Sequence, residues 1–343
     1  MLWQPSEFPR RPRVVFPCLL IFVLRVALSS QNGTPPFVPP KFLQQFSSAD
    51  DVKRELFPVL DRSVDILAGP AEAHPTIHRL VAPYAITTDR AHRIYVTDPE
   101  ASAVHIFDFA NSRYTVLGGR GSHIRLPFGI AADRDGNIYV TDTALAAVLV
   151  YGAKGQFLHY LGKVGRESYF EAPAGIAIHE ATGHIYVCDS RRHMVLLLDK
   201  KGHLLNHLGK RWGGKGEGDF RYPSQIAISG NDVLVLDRGN SRLQVLDLDG
   251  HFRREIKLEE VHNDTGLAVD DDKNIYLSDP QLNVVRVYDY DGQFLYKFGH
   301  PGTKPGDFDT PSGLWVESGK GLYVADTRNK RVQLFQLGDR PVP

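Results

Sequence analysis

The segment Ile94-Tyr95-Val96-Thr97-Asp98 is the first of six copies of one pattern, in which three apolar residues and a variable residue precede an aspartate. The other copies end at equivalent aspartates, which are Asp142, Asp189, Asp237, Asp279 and Asp326. Successive aspartates are 44, 47, 48, 42 and 47 residues apart. This period is typical of a four-stranded propeller blade and is longer than that of leucine-rich repeats. The spacing therefore predicts six repeated units of β structure.

Each unit contains four short apolar stretches that are separated by turn residues. A strand such as Pro127-Phe128-Gly129-Ile130-Ala131 comes first, and the turn Asp133-Arg134-Asp135-Gly136-Asn137 follows it. The strand that ends in the aspartate is next, and two more strands follow, the last of which closes on glycine, as in residues 293–299. Asp-Gly turns between apolar stretches are hairpin signals. The sequence thus predicts an all-β fold, a six-bladed β-propeller of four-stranded antiparallel blades.

The sixth unit has sequence for only three strands. Residues 63–69, Ser-Val-Asp-Ile-Leu-Ala-Gly, lie ahead of the first unit and resemble the last strand of a unit, because an apolar stretch closes on glycine. We therefore expect the ring to be closed by an N-terminal strand, residues 64–67, which pairs with residues 332–335. Such pairing would cover an exposed sheet edge.

Three sequence motifs resemble those of the NHL-repeat family. They are Pro-x-Gly-Ile-Ala, Ile-Tyr-Val-x-Asp, and the run Asp326-Thr327-Arg328-Asn329-Lys330-Arg331-Val332. The glycine-rich links at residues 213–220 and 302–308 are similar to the segments that join blades in that family. The resemblance covers residues 64–337 and implies a six-bladed β-propeller.

Composition excludes several classes of protein. The 343 residues include 40 Lys and Arg against 40 Asp and Glu, so the chain has no overall positive charge to attract a nucleic acid, and we expect no nucleic-acid partner. The two cysteines, Cys18 and Cys188, cannot form a disulfide framework or a cysteine-based zinc site. Cys188 follows three apolar strand residues and is expected to be buried and unpaired.

The N-terminus has the features of an export signal. Three arginines, ending at Arg13, precede an uncharged apolar run at residues 14–24, and small residues lead to Ser29. The apolar run is too short to span a membrane, which takes about 20 residues. We expect residues 1–29 to be a signal peptide, residues 30–60 a proline-rich linker and residues 61–343 the propeller. The protein is then secreted or periplasmic, with membrane attachment only if the signal stays uncleaved.

The sequence gives less evidence for catalytic residues than for the fold. The six aspartates occupy one repeat position, where a strand meets a turn, so we expect them to accept hydrogen bonds from turn amides. The NHL family includes the zinc-dependent peptidylglycine amidating lyase, and the resemblance would place its histidine ligands at the starts of innermost strands. The matching positions here hold no histidine, and His262 is the only nearby candidate. One imidazole does not make a zinc site.

Lactonases of the gluconolactonase type also resemble six-bladed propellers and bind a divalent cation through oxygen ligands in the channel. Glu171 and Asp264 lie near innermost-strand starts and are the candidate ligands for such an ion. We expect no cofactor and no metal, and keep one Ca²⁺ or Zn²⁺ ion as the alternative. A metal-dependent lyase or hydrolase is the corresponding alternative function.

The favoured interpretation is an exported, non-catalytic module that binds a protein, peptide or glycan. The channel mouth at the starts of the innermost strands gathers loops from every blade, so we expect the ligand there. The predicted contacts break the Gly/Ala/Ser pattern of this position or directly precede it, and they are Tyr84, Phe128, Arg221, Gln225 and His262.

Overall fold

Six four-stranded antiparallel sheets form the blades of a β-propeller, which confirms the predicted fold. The computed structural model describes residues 39–54, 78–119, 121–164, 167–258 and 265–338. Within every blade, strands that are consecutive in sequence pair with one another. The helix in this part of the chain, α1 (Ala49–Arg54), has six residues. Across the described ranges, no helix is long and apolar enough to cross a membrane.

The strands are assigned to the blades as follows. Blade 6 includes the first strand, β1 (Lys41–Phe46), whereas blade 1 holds β2 (Ile86–Thr88), β3 (Ile94–Asp98), β4 (Ala103–Asp108) and β5 (Arg113–Gly118). Blade 2 holds β6 (Pro127–Ala132), β7 (Ile138–Asp142), β8 (Ala147–Tyr151) and β9 (Phe157–Leu161). A small hairpin, β10 (Lys163–Val164) and β11 (Glu167–Ser168), leads to blade 3.

Blade 3 holds β12 (Pro173–Ile178), β13 (Ile185–Asp189), β14 (Met194–Leu198) and β15 (Leu204–Gly209). Blade 4 holds β16 (Pro223–Ser229), β17 (Asp232–Asp237), β18 (Arg242–Leu246) and β19 (Phe252–Lys257), with a 3-10 turn at Arg238–Asn240. Blade 5 holds β20 (Gly266–Val269), β21 (Ile275–Asp279), β22 (Val284–Tyr288) and β23 (Phe294–Phe298). Blade 6 holds β24 (Pro311–Glu317), β25 (Gly321–Asp326), β26 (Arg331–Gln336) and β1.

The second strand of each blade carries the core. Every residue of β3, β7, β13, β21 and β25 is buried, since a neighbouring blade covers each face of these strands. The apolar clusters lie between blades: Tyr95 of blade 1 and Val140 of blade 2 share one cluster, for example. Each large apolar side chain buried in this way stabilises the fold by roughly 1.5–3 kcal/mol.

Hydroxyl groups connect the second strand of one blade to the innermost strand of the next. Thr97 donates a hydrogen bond to the carbonyl oxygen of Phe128 at 2.7 Å, and Thr141 donates one to that of Ala174 at 2.6 Å. The close approach explains the glycine of the Pro-x-Gly-Ile-Ala motif, because a Cβ at Gly129 would lie 2.2 Å from the Ala174 oxygen. Cys188 takes the equivalent position in blade 3, where it is buried and unpaired as predicted, and burial raises the pKa of its thiol.

An N-terminal strand closes the ring, as predicted, but it is β1 and not residues 64–67. Strand β1 pairs antiparallel with β26, so that Phe46 lies opposite Val332. Residues 64–67 lie outside the described residues, and the predicted partner of residues 332–335 was wrong. The closing strand falls inside the range predicted as linker. Its side chains alternate between exposed and half-buried and end at the fully buried Phe46, which packs on Phe107 of blade 1 with ring centroids 4.7 Å apart.

The six repeated aspartates are buried structural residues. Asp142, for example, accepts hydrogen bonds from the backbone N–H groups of Arg125, Leu126 and Leu145 at 2.7–3.0 Å. Five of them, Asp98, Asp142, Asp189, Asp237 and Asp326, thereby tie the end of a second strand to the link that enters its blade, whereas Asp279 accepts from the N–H groups of the following turn, at Gln281 and Leu282. This is the role the sequence predicted for them.

Candidate functional site

The central channel is lined mainly by backbone and aliphatic side chains. A cavity of about 130 Å³ runs along the innermost strands. Its lining consists of Ala85, Ile86, Gly129, Ile130, Ile176, Gln225, Ile226, Ala227, Ile228, Leu267, Ala268, Val269, Gly313, Leu314, Trp315 and Val316. The polar side-chain groups in this set are the Gln225 amide and the Trp315 indole, which donates to Thr88 Oγ1 at 2.9 Å. Among the described lining residues there is no histidine or carboxylate to hold a zinc or calcium ion.

The two ends of the propeller differ in structure. At one end, which we call the link face, the second strand turns into the third, and each blade is joined to the next. At the other, which we call the hairpin face, the first strand turns into the second and the third into the fourth. The innermost strands begin at the link face, so this is where the sequence predicted a ligand.

Exposed positive charge is concentrated on the link face. Within the described turns and links of blades 1 to 6, twelve exposed cations lie there: Arg79, Arg125, Lys163, Arg191, Lys210, Arg211, Lys215, Arg221, Arg238, Lys304, Arg328 and Lys330. The exposed carboxylates of the same segments are five: Asp50, Glu100, Glu167, Glu171 and Glu217. The balanced total charge of the chain therefore conceals a strongly cationic surface.

The hairpin face is nearly balanced in charge. Its described turns expose seven cations, which are Arg90, Arg134, Lys154, Lys200, Lys201, Lys273 and Lys320. They also expose six carboxylates, which are Asp135, Glu180, Asp249, Asp271, Asp272 and Asp291. Further half-buried carboxylates, such as Asp270 and Asp289, accept hydrogen bonds from turn amides. Long-range attraction of an anion thus favours the link face.

Two of the predicted contact residues meet at the channel mouth. The rings of Tyr84 and Phe128 are half-buried and pack edge to face, with centroids 4.8 Å apart. Burial raises the pKa of the Tyr84 hydroxyl, while the positive charge of Arg238 opposes the rise. Arg238, from blade 4, is therefore near enough to act on a ring from blade 1.

The remaining predicted contacts lie apart from this pair. Gln225 lines the channel, and Arg221 is exposed on the link face. His262 and Asp264 lie outside the described residues. Glu171, the other candidate metal ligand, is exposed on the link face and pairs with Arg192 at 3.4 Å and with Arg211 at 3.6 Å. Its carboxylate therefore serves as the ion-pair partner of two arginines.

The structure adds two exposed aromatic residues that are not among the contacts predicted from the sequence. Trp212 is 90% exposed, and the Arg211 guanidinium lies 5.9 Å from the centroid of its ring. Tyr222 is 50% exposed and packs edge to face on His193 at 4.4 Å. The run Lys-Arg-Trp in the link between blades 3 and 4 places cations beside an aromatic residue and could have indicated this surface. The balanced total charge of the chain gave no reason to select it.

One acidic cluster occurs on the hairpin face. Asp247, Asp249 and His251 bring potential ligand atoms within 4.8 Å of one another. Asp247 accepts hydrogen bonds from the backbone N–H groups of Asp249 and His251 and meets the His251 ring at 3.1 Å. These contacts account for the cluster as a hairpin turn.

Comparison with known proteins agrees with the architecture. A family model described as a 6-bladed beta-propeller matches residues 167–281. The B-box type zinc finger protein ncl-1 of Caenorhabditis elegans is 27% identical over 135 residues, and Protein brain tumor of Drosophila melanogaster is 27% identical over 129 residues. Each match covers 35% of this chain but only 15% and 12% of those relatives, respectively.

Solved structures show the same fold at low sequence identity. A streptogramin B lyase superposes with a TM-score of 0.57 at 14% identity, covering 76% of this chain and 94% of the lyase. A nidogen/laminin complex contains a chain that superposes with a TM-score of 0.54 at 19% identity, covering 66% of this chain and 82% of that one. At these identities the likeness concerns the fold alone.

Proposed function

We propose that this six-bladed β-propeller, whose repeats resemble those of the NHL family, is an exported, non-catalytic module that binds a protein, peptide or glycan through its link face. The observation that carries this proposal is the segregation of exposed charge, with twelve cations against five carboxylates on that face. Exposed aromatic side chains, Trp212 and Tyr222, lie among these cations. Aromatic residues and arginine are the side chains most enriched where proteins bind one another.

The channel gives less support to a catalytic role. General acid–base or metal-assisted chemistry needs titratable or ligating groups that converge on one point. The described channel lining presents aliphatic side chains, one amide and one indole. The likeness to streptogramin B lyase is one of fold, at 14% identity, and brings no residue with it.

A protein or peptide partner is favoured by the kind of surface that the link face offers. The nidogen/laminin structure, which has the same fold, is a complex between two proteins. Large exposed rings supply contact area with few rotatable bonds, and arginine supplies directional hydrogen bonds. Both kinds of group are present on the link face, on a rigid ring of sheets.

A display selection on the purified propeller tests the proposal. Random peptides and a glycan array serve as ligand pools, and each hit is titrated against two double variants. Arg221→Glu with Arg238→Glu reverses charge on the link face, and Arg134→Glu with Lys154→Glu does so on the hairpin face. We expect the first to weaken binding by at least about tenfold and the second by less than about twofold. Hits that lose affinity only with the hairpin-face variant would contradict the proposal.

Elemental analysis of the purified chain tests the enzymatic alternative. A stoichiometric divalent cation, with lyase or hydrolase turnover that ends on its removal, would replace the binding module with an enzyme. A metal-free chain whose ligands depend on the link face supports the proposal.

Export rests on the basic and apolar pattern of residues 1–29. Expression of the full chain with a C-terminal tag in a secreting host should place it in the medium or periplasm, with Ser30 as its first residue. Sequencing of the N-terminus checks this. A tagged protein that stays in the cytoplasm with residues 1–29 attached would contradict export.

A further inference from the structure

A series of aromatic and cationic residues crosses the link face from the link between blades 3 and 4 to the channel mouth. We call it the aromatic–cationic stripe, and its members are Arg211, Trp212, His193, Tyr222, Arg221, Arg238 and Tyr84. Blades 1 and 4 supply the inner end, and the link between blades 3 and 4 supplies the outer end. Packing on His193 fixes the outer end, and hydrogen bonds in the turn of blade 4 fix the backbone of the inner end.

The outer part of the stripe is fixed by packing on His193. A Cβ at Gly213, the residue after Trp212, would lie 3.4 Å from the His193 ring, so this backbone rests on the imidazole. The Tyr222 ring meets the same imidazole with a centroid distance of 4.4 Å and an interplanar angle of 77°. His193 therefore joins the exposed Trp212 link to the exposed Tyr222.

The backbone conformation of Tyr222 is found again at the equivalent position before blade 6, but the residue there is not aromatic. Tyr222 has φ of 52°, and its N–H donates to His193 Nδ1 at 3.0 Å. Thr310 occupies the equivalent position before blade 6, with φ of 58° and an N–H that donates to Asn283 Oδ1 at 2.6 Å. The left-handed turn is thus a repeated structural device. The fold does not require an aromatic ring there, and its exposure calls for another explanation.

The inner part of the stripe is held by the turn of blade 4. The Arg221 N–H donates to Asp237 Oδ1 at 2.6 Å, and its carbonyl oxygen accepts from the Gly239 N–H at 2.7 Å. The backbone of Arg221 is therefore fixed although its side chain is exposed. Arg238 precedes Gly239 and acts electrostatically on Tyr84, which packs on Phe128.

This order of groups suits a ligand that is both anionic and apolar along its length. Along the stripe, Trp212 and Tyr222 lie between Arg211 at the outer end and the two cations Arg221 and Arg238 at the inner end. Surface ion pairs such as that of Arg211 with Glu171, 3.6 Å apart, are weak and can yield to a ligand carboxylate. At its inner end the stripe reaches two aromatic rings beside an aliphatic channel.

A peptide meets these conditions better than the other polyanions. Nucleic acids and sulfated glycans carry dense negative charge, but they have no aliphatic side chains to place against the rings at an apolar channel mouth. A peptide carries carboxylates and apolar side chains at adjacent positions and can lie extended along a fixed surface. Arginine forks bind carboxylates with two parallel hydrogen bonds.

On the basis of the proposed function, we infer that the stripe binds an extended acidic peptide segment of a partner protein. Its carboxylates pair with Arg211, Arg221 and Arg238, and its apolar side chains pack on Trp212 and Tyr222.

Fluorescence anisotropy with labelled synthetic probes tests this inference. The first peptide alternates glutamate with leucine and phenylalanine, the second replaces each glutamate by glutamine, and the third replaces each apolar residue by serine. A heparin-derived oligosaccharide and a single-stranded oligouridylate represent the other polyanions. We expect the first peptide to bind at least about tenfold more tightly than either peptide analogue, with affinity that falls as salt is added.

Matched variants locate the binding site. We expect Trp212→Ala, and separately Arg221→Gln with Arg238→Gln, each to weaken binding of the first peptide about tenfold. Leu158→Ala removes an exposed apolar side chain elsewhere, and Arg134→Gln with Lys154→Gln removes two cations from the hairpin face. These controls should change affinity by less than about twofold. Circular dichroism of each variant verifies that the fold is retained.

The outcomes separate this inference from the proposed function. Equal binding of the glutamine analogue, or preferential binding of the oligosaccharide, overturns the acidic peptide while binding at the link face still stands. Preferential binding of the oligouridylate overturns the acidic peptide and also the expected absence of a nucleic-acid partner. Self-association that Trp212→Ala abolishes would make a second copy of this chain the occupant. Ligands that ignore every link-face variant would overturn both proposals.

Discussion

The buried aspartate that ends the second strand has different hydrogen-bond donors in blades 4 and 6 than in blades 2 and 3. Asp142 in blade 2 and Asp189 in blade 3 each accept three hydrogen bonds from backbone N–H groups. Asp326 in blade 6 accepts one from a backbone N–H and three from the side chains of Asn329, Arg331 and Gln333. Blade 4 repeats the second arrangement around Asp237.

The difference extends to the link that enters each blade. Arg331 also donates to the carbonyl oxygens of Thr303, Lys304 and Asp307 at 2.8–2.9 Å, and to Gln45 of the closing strand at 2.8 Å. Arg242 contacts the equivalent glycine-rich link in blade 4, at Gly216 and Asp219. Those links fold around a guanidinium, which supplies donors for carbonyl groups that no strand pairs.

Blades 2 and 3 have no arginine at the start of the third strand. At the positions of Arg331 and Gln333 they carry Ala147 and Leu149, and Met194 and Leu196. Leu149 is fully buried in an apolar cluster between blades 1 and 2. One repeat thus supports either a polar network or an apolar contact at the same place. The choice follows the form of the preceding link, because a buried network is favourable only when every member has a partner.

The largest effect is expected for Arg331→Ala. This change leaves the Asp326 carboxylate, which is fully buried, without its cation, and it removes donors from three link carbonyls and from Gln45. Removing one partner of a buried ion pair destabilises proteins by about 3–5 kcal/mol. Urea unfolding measures the loss. Arg328→Ala, at an exposed position three residues away, is the control, and a loss below about 1 kcal/mol for Arg331→Ala would break the comparison.

A smaller effect is expected when blade 2 is given a residue of blade 4. Leu149→Gln places an amide where Gln244 has its partners Gly218 and Asp219, but in blade 2 the position is apolar. The unpaired amide and the lost apolar contact should together cost about 2–3 kcal/mol. The conservative Leu149→Met should cost less than about 1.5 kcal/mol. Equal stabilities of the two variants would show that the network does not depend on its link.

Much of this architecture could be predicted from sequence because it is repeated. Six copies of an apolar triplet, a variable residue and an aspartate, spaced 42 to 48 residues apart, specify strand, turn and blade together. The closing strand could not be found in this way, because β1 belongs to no repeat. The sequence prediction instead selected a segment that ends in glycine, as the last strand of a repeat does. Residues 64–67 match that ending, whereas Lys41–Phe46 pairs through its backbone and through the burial of Phe46.

The candidate site was predictable only in part. Tyr84 and Phe128 stand out because they replace small residues at a repeated position, and the structure brings their rings together. Trp212 and Tyr222 lie in links of variable sequence, so periodicity gives no information about them. The positive charge of Arg238 in blade 4 acts on the pKa of Tyr84 in blade 1, an effect that appears only in the closed ring. Such proximity is a property of tertiary structure.

Blade 1 offers a third arrangement, which a pH titration can test. Its Asp98 lies 3.4 Å from Nε2 of the buried His105, whose Nδ1 meets the Tyr114 hydroxyl at 2.6 Å. Burial acts to raise the pKa of Asp98, but the nearby His105 ring and the hydrogen bonds from the N–H groups of Val81 and Ala82 outweigh it and hold the pKa below its usual range. The ionised carboxylate therefore stabilises the fold.

Because the folded-state pKa of Asp98 is depressed, its contribution is fully present above the unfolded value of about 3.9 and is lost as the pH falls through the lower, folded value. Asp98→Asn should therefore lower the urea midpoint at pH 6, and the gap to the parent chain should narrow below about pH 4. Asp249→Asn, at an exposed carboxylate, should show no comparable gap. A gap that widens in acid would contradict the assignment.

The smallest effect on stability is expected for Trp212→Ala. The side chain is 90% exposed, so its removal changes little buried area, and surface substitutions of this kind stay within about 0.5 kcal/mol. Trp315→Phe is the matched control, because it removes the indole donor of the 2.9 Å hydrogen bond to Thr88 and should cost about 1 kcal/mol. Urea unfolding of both variants measures the difference. If Trp212→Ala cost more than about 1 kcal/mol, the ring would be part of the scaffold, as Arg331 is. If it leaves stability unchanged, the fold does not require an indole at this exposed position among cations, which is the outcome that the proposed contact with a ligand predicts.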